Sequence, residues 1–318
     1  MCIRDSSKAD PKIGWAFTGD ARSDSANFVQ SARQLFAAEP TFRSLIAEFD
    51  QRLSEQSQQY QSLQDWMTDT DVSPPVSDVH LFALQAGLAT LWTQWGIEPD
   101  AAVGFGVGQY TAAYVAGGLC FKDAMALVAQ RETVIDAIGS AEIVGDESAL
   151  NDDAKKALDE FEAFADKLNF YPPNIPLVCS VTGTIVPVHL SLGGSYWRQH
   201  CLAPTMLDES TAAMGELNCD YLLQMGSPVD SNDEATKLLP NSAGTLLPSL
   251  DANHDATNSM LNALGRVYVG GANPNFSTFN QHWHRNRISL PTYPFQKKRY
   301  WITEISKHIK QELETVSQ

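Results

Sequence analysis

The run from Ser77 to Ala116 constrains this chain more than any other stretch. Leu81, Leu84, Leu88, Leu91, Trp92 and Trp95 recur at three- and four-residue steps and mark one face of a helix, which Gly96 ends with Pro99 just beyond. Ala101-Ala102-Val103 reads as a short strand, Gly104-Phe105-Gly106-Val107-Gly108 as a sharp turn, and Ala112-Ala113-Tyr114-Val115-Ala116 as a small-residue helix. Helix, strand, turn and helix in that order predict a parallel α/β sheet. A tight turn between strand and helix is also where a nucleophile elbow presents its central residue beside a base and backbone N–H donors. Here that central residue is Gly106, which has no side chain.

The remaining text fits the same class. Lys12 to Gly19 reads as a buried strand halted by glycine, and residues 26–53 as two amphipathic helices broken at Pro40. Residues 54–75, rich in Gln, Ser and Asp and closed by Pro74-Pro75, read as a solvated connector. A helix is expected from Phe121 to about Ile138 and a charged one over 151–168, with an unpatterned stretch between. Ile175 to Gly183 reads as strand and turn, and Tyr221 to Gly226 as another strand. A basic, aromatic segment runs from His282 to Trp301; beyond it Ile302, Ile305, Ile309, Leu313 and Val316 keep helical spacing, suiting a docking helix or a frayed tail.

Charge narrows the function. With 22 basic and 38 acidic residues in 318, the net charge of −16 argues against a phosphate-backbone partner. Residues 1–284 carry 15 basic and 35 acidic side chains and residues 285–318 carry 7 and 3, so the C-terminal segment is a separate electrostatic unit. Lys297-Lys298-Arg299 beside Tyr300-Trp301 is read as facing that acidic body rather than nucleic acid. No window approaches ~18 apolar residues, so no membrane span is expected. Cys2, Cys120, Cys179, Cys201 and Cys219 form no C-x-x-C pair, which suits free thiols in a cytoplasmic protein. Residues 1–11 lack the apolar stretch of a secretory signal and read as a disordered or non-native leader. His282-Trp283-His284 lacks a third ligand and is read as loop, so neither metal nor cofactor is expected.

On these residues the chain resembles the malonyl-CoA:acyl carrier protein transacylases, and most closely the acyltransferase domains of modular polyketide synthases. Phe17-Thr18-Gly19 resembles the family's opening strand and loop, and Leu91 to Asp100 its helix and turn before the elbow. Gly108 to Gly118 resembles the helix after the elbow, and Leu127-Val128-Ala129-Gln130-Arg131 the segment whose arginine grips the extender carboxylate. Tyr196-Trp197-Arg198-Gln199-His200 resembles the later core, and Leu290-Pro291-Thr292-Tyr293-Pro294-Phe295-Gln296-Lys297-Lys298-Arg299-Tyr300-Trp301 the linker that straps over a neighbouring ketosynthase.

Against that pattern the departures fall on chemistry. The family's elbow reads Gly-His-Ser-x-Gly, whereas this chain has Phe105 and Gly106 in place of His and Ser. The oxyanion loop, ordinarily Gln-Gly, is Asp20-Ala21, and a carboxylate there opposes oxyanion stabilisation. The family's basic His, in a stretch preceding a helix like Leu158 to Glu162, has no counterpart near Leu150-Asn151-Asp152. Residues 139–157 are too few for the ferredoxin-like small subdomain that the family places over its site. The resemblance makes Arg131 a candidate for binding a substrate carboxylate, set against the favoured reading of a helix-surface or ion-paired arginine in a decayed cleft. His200 reads as core, His189 has no nucleophile to serve, and Ser180, Ser195 and Ser227 stand on no glycine-flanked strand-to-helix turn.

The expected architecture is therefore an α/β, parallel-sheet, hydrolase-like acyltransferase core over 12–250 without its small subdomain. A post-acyltransferase linker follows over 251–303, with Tyr293, Pro294, Phe295, Arg299, Tyr300 and Trp301 as its partner-facing residues, and then a tail over 304–318. The resemblance implies a catalytically inactive element of a polyketide or fatty-acid-type synthase, with ketosynthase and acyl carrier protein domains as partners. The alternative is an active acyl-CoA:acyl carrier protein acyltransferase or acyl hydrolase using a nucleophile outside the elbow.

Overall fold

The computed structural model describes residues 10–19, 25–56, 62–69, 77–139, 147–226, 244–250, 255–283, 288–292, 294, 309–310, 312 and 315–316. The chain divides into two compact units, Met1–His282 and Trp283–Gln318. The elements named below all belong to the first.

In chain order these are β1 (Ile13–Thr18), α1 (Ser25–Ala38), α2 (Pro40–Gln56), α3 (Leu63–Thr68), α4 (Asp78–Gln94), β2 (Ala101–Gly104), α5 (Gly108–Val115) and α6 (Phe121–Ile138). A 3-10 turn (Glu147–Ala149) precedes α7 (Asp152–Ala165), β3 (Leu177–Cys179) and β4 (Thr184–Ile185). The last are α8 (Gly194–Leu202), α9 (Leu207–Glu216), β5 (Tyr221–Gly226), β6 (Thr245–Pro248), α10 (Ala256–Gly270) and α11 (Phe276–Asn280). The strands form one sheet ordered β4-β3-β2-β1-β5-β6, parallel at every pairing except β3 with β4. Trp15 of β1 pairs with Ala102 of β2 on one side and Leu223 of β5 on the other. Every residue of β1 and β2 is buried, as expected of strands covered on both faces.

Two sequence expectations change on inspection. Helix α4 was expected to bury one face; it is buried almost all round, including Asp78, His80 and Gln85, because it packs against α2, α5 and α6 together. The connector expected over 54–75 contains α3, whose Leu63, Trp66 and Met67 are buried. Those three residues keep helical spacing inside a polar stretch too short to show a period. Asp50 fixes the start of α3, accepting from Leu63 N (2.7 Å) and Ser62 Oγ (2.8 Å), and Arg33 Nη2 donates to the Trp66 carbonyl (2.9 Å).

The connection between α6 and α7 spans residues 139–151, and α7 begins at Asp152, within the charged helix expected over 151–168. Arg198 on α8 fastens it. Its guanidinium pairs with Glu147 in the 3-10 turn and with Asp159 (2.7 Å) and Glu162 (3.2 Å) on α7. Residues 255–282, expected to begin the linker, lie within the first unit, where Met260, Leu264 and Val267 are buried and α10 packs against α1. Among the described residues no helix is long and apolar enough to cross a membrane.

Candidate active site

The turn at 104–108 lies at the carboxyl end of β2, where open parallel sheets build their sites. Its glycines have separate steric causes. A β-carbon at Gly104 would overlap the Gly108 carbonyl, and one at Gly108 would overlap the Phe17 carbonyl, so both positions exclude a side chain. Gly106 differs: its φ is 56°, the left-handed conformation, and the nearest atom to an added β-carbon is the Gly19 carbonyl oxygen at 3.5 Å. The backbone thus has the form of an elbow, and among the described residues no atom comes closer than 3.5 Å to a β-carbon added at its centre. Phe105 donates its backbone N–H to the Phe17 carbonyl (3.0 Å) and is half-buried against the apolar cluster that includes Ala16, Val103 and Val178.

A buried polar network supports the turn from beneath. Gln85 of α4 donates to the Thr18 carbonyl (2.9 Å) and accepts from Thr111 Oγ1 of α5 (2.8 Å), while Gln224 of β5 donates to Thr18 Oγ1 (2.9 Å). These bonds lock the ends of β1 and β5 to the helix after the elbow. Gln85, a polar residue within the Leu- and Ala-rich middle of α4, is the sequence signal for this network.

Arg131 of α6 sits beside the same helix. Its side chain is 14% exposed, its guanidinium forms an ion pair with Asp78 at the start of α4, and it lies 5.9 Å from the centre of the Tyr110 ring. Tyr110 stacks on Trp197 (4.2 Å) and meets His200 edge-on (5.2 Å). Burial, and then the Arg131 charge, lower the His200 pKa to about 3, so its imidazole is neutral, and its Nδ1 has no hydrogen-bond partner. Burial also pushes the Cys201 thiol up to about 11. Rings, the Arg131–Asp78 ion pair and uncharged groups meet in this cluster.

Of the residues that the sequence singled out, Gly104, Phe105, Gly106 and Gly108 come together in one turn, and Arg131 lies near the helix that follows it. Asp20 and Ala21 fall outside the described residues, as do Tyr293, Phe295, Arg299, Tyr300, Trp301 and Ser227; Pro294 is described, and exposed. Ser180 is buried, and Ser195 is exposed on α8. His189 and His282 are exposed, and among the described residues no cluster of three His, Cys, Asp or Glu side chains could hold a metal. Asp78, the partner of Arg131, was not among the residues singled out.

Comparison with known proteins agrees with this architecture. Residues 31–166 match the family model described as Acyl transferase domain. The chain is 23% identical over 359 aligned positions to the non-reducing polyketide synthase aoiG of Aspergillus oryzae, covering 92% of this chain and 17% of that protein. It is 25% identical to the polyketide synthase GfsB of Streptomyces halstedii, covering 70% of this chain and 5% of that one. The chain therefore spans a small part of the relatives it matches. Among solved structures, the acyltransferase domain from the second module of the salinomycin polyketide synthase superposes with a TM-score of 0.70 at 19% identity, over 91% of this chain and 80% of that one. The acyl transferase domain of ZmaA gives 0.74 at 18% identity, over 90% and 81%. Taken with the turn at the end of β2, these matches show that the chain has the fold of, and is similar in sequence to, the acyltransferase domains of polyketide synthases.

Proposed function

We propose that this chain is a catalytically inactive acyltransferase-like domain, serving as a structural or docking element of a polyketide or fatty-acid-type synthase. The observation that carries the reading is Gly106. It holds the central position of the elbow in left-handed backbone and offers no oxygen or sulfur atom to attack an acyl thioester.

The surroundings support it. Where a basic histidine would precede α7 stands Asn151, whose Oδ1 accepts from Ala154 N (2.7 Å) and caps the helix. The connection from α6 to α7 leaves no room for a small subdomain above the elbow. Core burial and the Thr18–Gln85–Thr111 network are intact, so the fold persists without the chemistry. The partners consistent with this role are the ketosynthase and acyl carrier protein domains of the same synthase, with the basic C-terminal segment as their meeting surface.

Incubation with labelled malonyl-CoA followed by intact-mass measurement tests the reading. The expected result is an unmodified chain. A stable acyl adduct at any residue would overturn it in favour of an active transferase or hydrolase.

A further inference from the structure

In this molecule the Arg131 guanidinium already holds a carboxylate of the chain's own. Asp78 is fixed there by several independent features. It is the first residue of α4, whose N-terminus favours an anion, and Ser77 caps that end with its Oγ accepting from His80 N (3.2 Å) and hydrogen-bonded to His80 Nδ1 (2.7 Å). The His80 ring in turn stacks on Trp66 at 4.8 Å. The Asp78 side chain is 7% exposed, so its charge is withdrawn from water, and Arg131 and the helix end both stabilise it. On the other side Arg131 is backed by the Tyr110 ring and by neutral His200.

We propose that Asp78 is a built-in carboxylate that fills the anion-accepting face of Arg131 and bars carboxylated ligands from that guanidinium. An incoming acid would have to displace Asp78 and leave that carboxylate buried without its countercharge, which costs more than the new pair returns. Electrostatic repulsion between the two carboxylates adds to the barrier. Neutral groups meet no such obstacle, so Asp78 acts as a specificity-determining residue at the Arg131 guanidinium. The inference uses the resemblance of Arg131 to a carboxylate-gripping arginine, but it does not depend on the chain being inactive.

The test is chemical rescue on the full chain. Asp78→Ala removes a carboxylate and leaves a void against the guanidinium that acetate fits. Calorimetric titration and thermal unfolding, with acetate or malonate against chloride at matched ionic strength, should show the variant binding carboxylate about tenfold or more tighter than wild type, with a carboxylate-specific rise in melting temperature. Adding Arg131→Gln to the variant should abolish both effects. If Asp78→Ala does not fold in chloride, Asp78→Ser, which keeps a polar group at the start of α4 and still leaves room at the guanidinium, is titrated instead and should show the same gain. Wild type binding malonate as tightly as the variants would overturn the proposal, as would folded variants that show no preference for carboxylate over chloride. An acyl adduct on the wild-type chain bears only on inactivity, so the two readings fail separately.

Discussion

Gly108 lies so close against Phe17 that a β-carbon at position 108 would overlap the Phe17 carbonyl oxygen, the same oxygen that accepts from Phe105 N–H at 3.0 Å. The elbow is thereby pinned to the middle of the sheet, and its outer glycines answer to packing rather than to chemistry. Gly108→Ala must push β1 or α5 aside, for a loss of about 3 kcal/mol in urea denaturation. Gly106→Ala has room and bears only the left-handed backbone cost of about 1–2 kcal/mol. Equal losses at the two positions would contradict the packing difference described above.

His200 gives the fold a dependence on acid. Its pKa is lowered to about 3 by burial and by Arg131, while in the unfolded chain it returns to about 6.5. As pH falls below ~6.5 the unfolded state takes up the proton first, so the contribution is full above that pH and is lost progressively toward pH 3. The contribution of this one residue to the slope reaches at most about 1.4 kcal/mol per pH unit. Urea midpoints from pH 7.5 to 4.5 should fall less steeply in His200→Gln than in wild type. A His200 resonance titrating near pH 6 in the folded protein would contradict this.

Arg198 joins Glu147 to Asp159 and Glu162, and so fastens the end of the α6–α7 connection to helices α7 and α8. Its side chain is 17% exposed and Asp159 is 71% exposed, so water and salt screen part of the network. Arg198→Ala should lower stability by about 1–2 kcal/mol at low ionic strength. The difference from wild type, read from melting temperature, should shrink in molar salt; a salt-independent loss would point to packing instead.

What the sequence discloses divides along physical lines. The elbow is legible because glycines at 104, 106 and 108 report backbone needs that act within a few residues. Helices α1, α2 and α4 to α7 announce themselves by period, cap and proline. Strand β6 and helix α3 are too short to carry a period. The pairing of Asp78 with Arg131 is beyond a single sequence altogether. It joins residues 53 apart on two helices, and an aspartate opening a helix looks the same whether it faces solvent or a buried guanidinium.

The thiols differ sharply in environment. Cys201 and Cys219 are each raised to about 11 by burial, and Cys179 is buried at the end of β3. Cys120 is exposed at the start of α6, its sulfur accepting from Asp123 N at 3.4 Å. Iodoacetamide at pH 7.5 followed by peptide mapping should therefore modify Cys120 well before Cys179, Cys201 or Cys219, since reaction requires both access and thiolate. Early labelling of Cys201 would mean that the cluster around Tyr110 opens in solution.

Restoring the missing side chains at the elbow separates a lost nucleophile from a dismantled site. Position 106 has the backbone and the space for serine, and Phe105→His exchanges one ring for another at the edge of a small apolar cluster. The double variant Phe105→His/Gly106→Ser should fold, at a cost of about 1–3 kcal/mol from the left-handed serine and lost apolar packing. It should nevertheless take no acyl group from malonyl-CoA. Asn151 is committed to capping α7 and cannot serve as base, and the Asp78 carboxylate is already on Arg131. Intact mass after incubation decides the matter: an acyl adduct on the double variant but not on the wild-type chain would show that a base survives elsewhere and that Phe105 and Gly106 together account for the proposed inactivity.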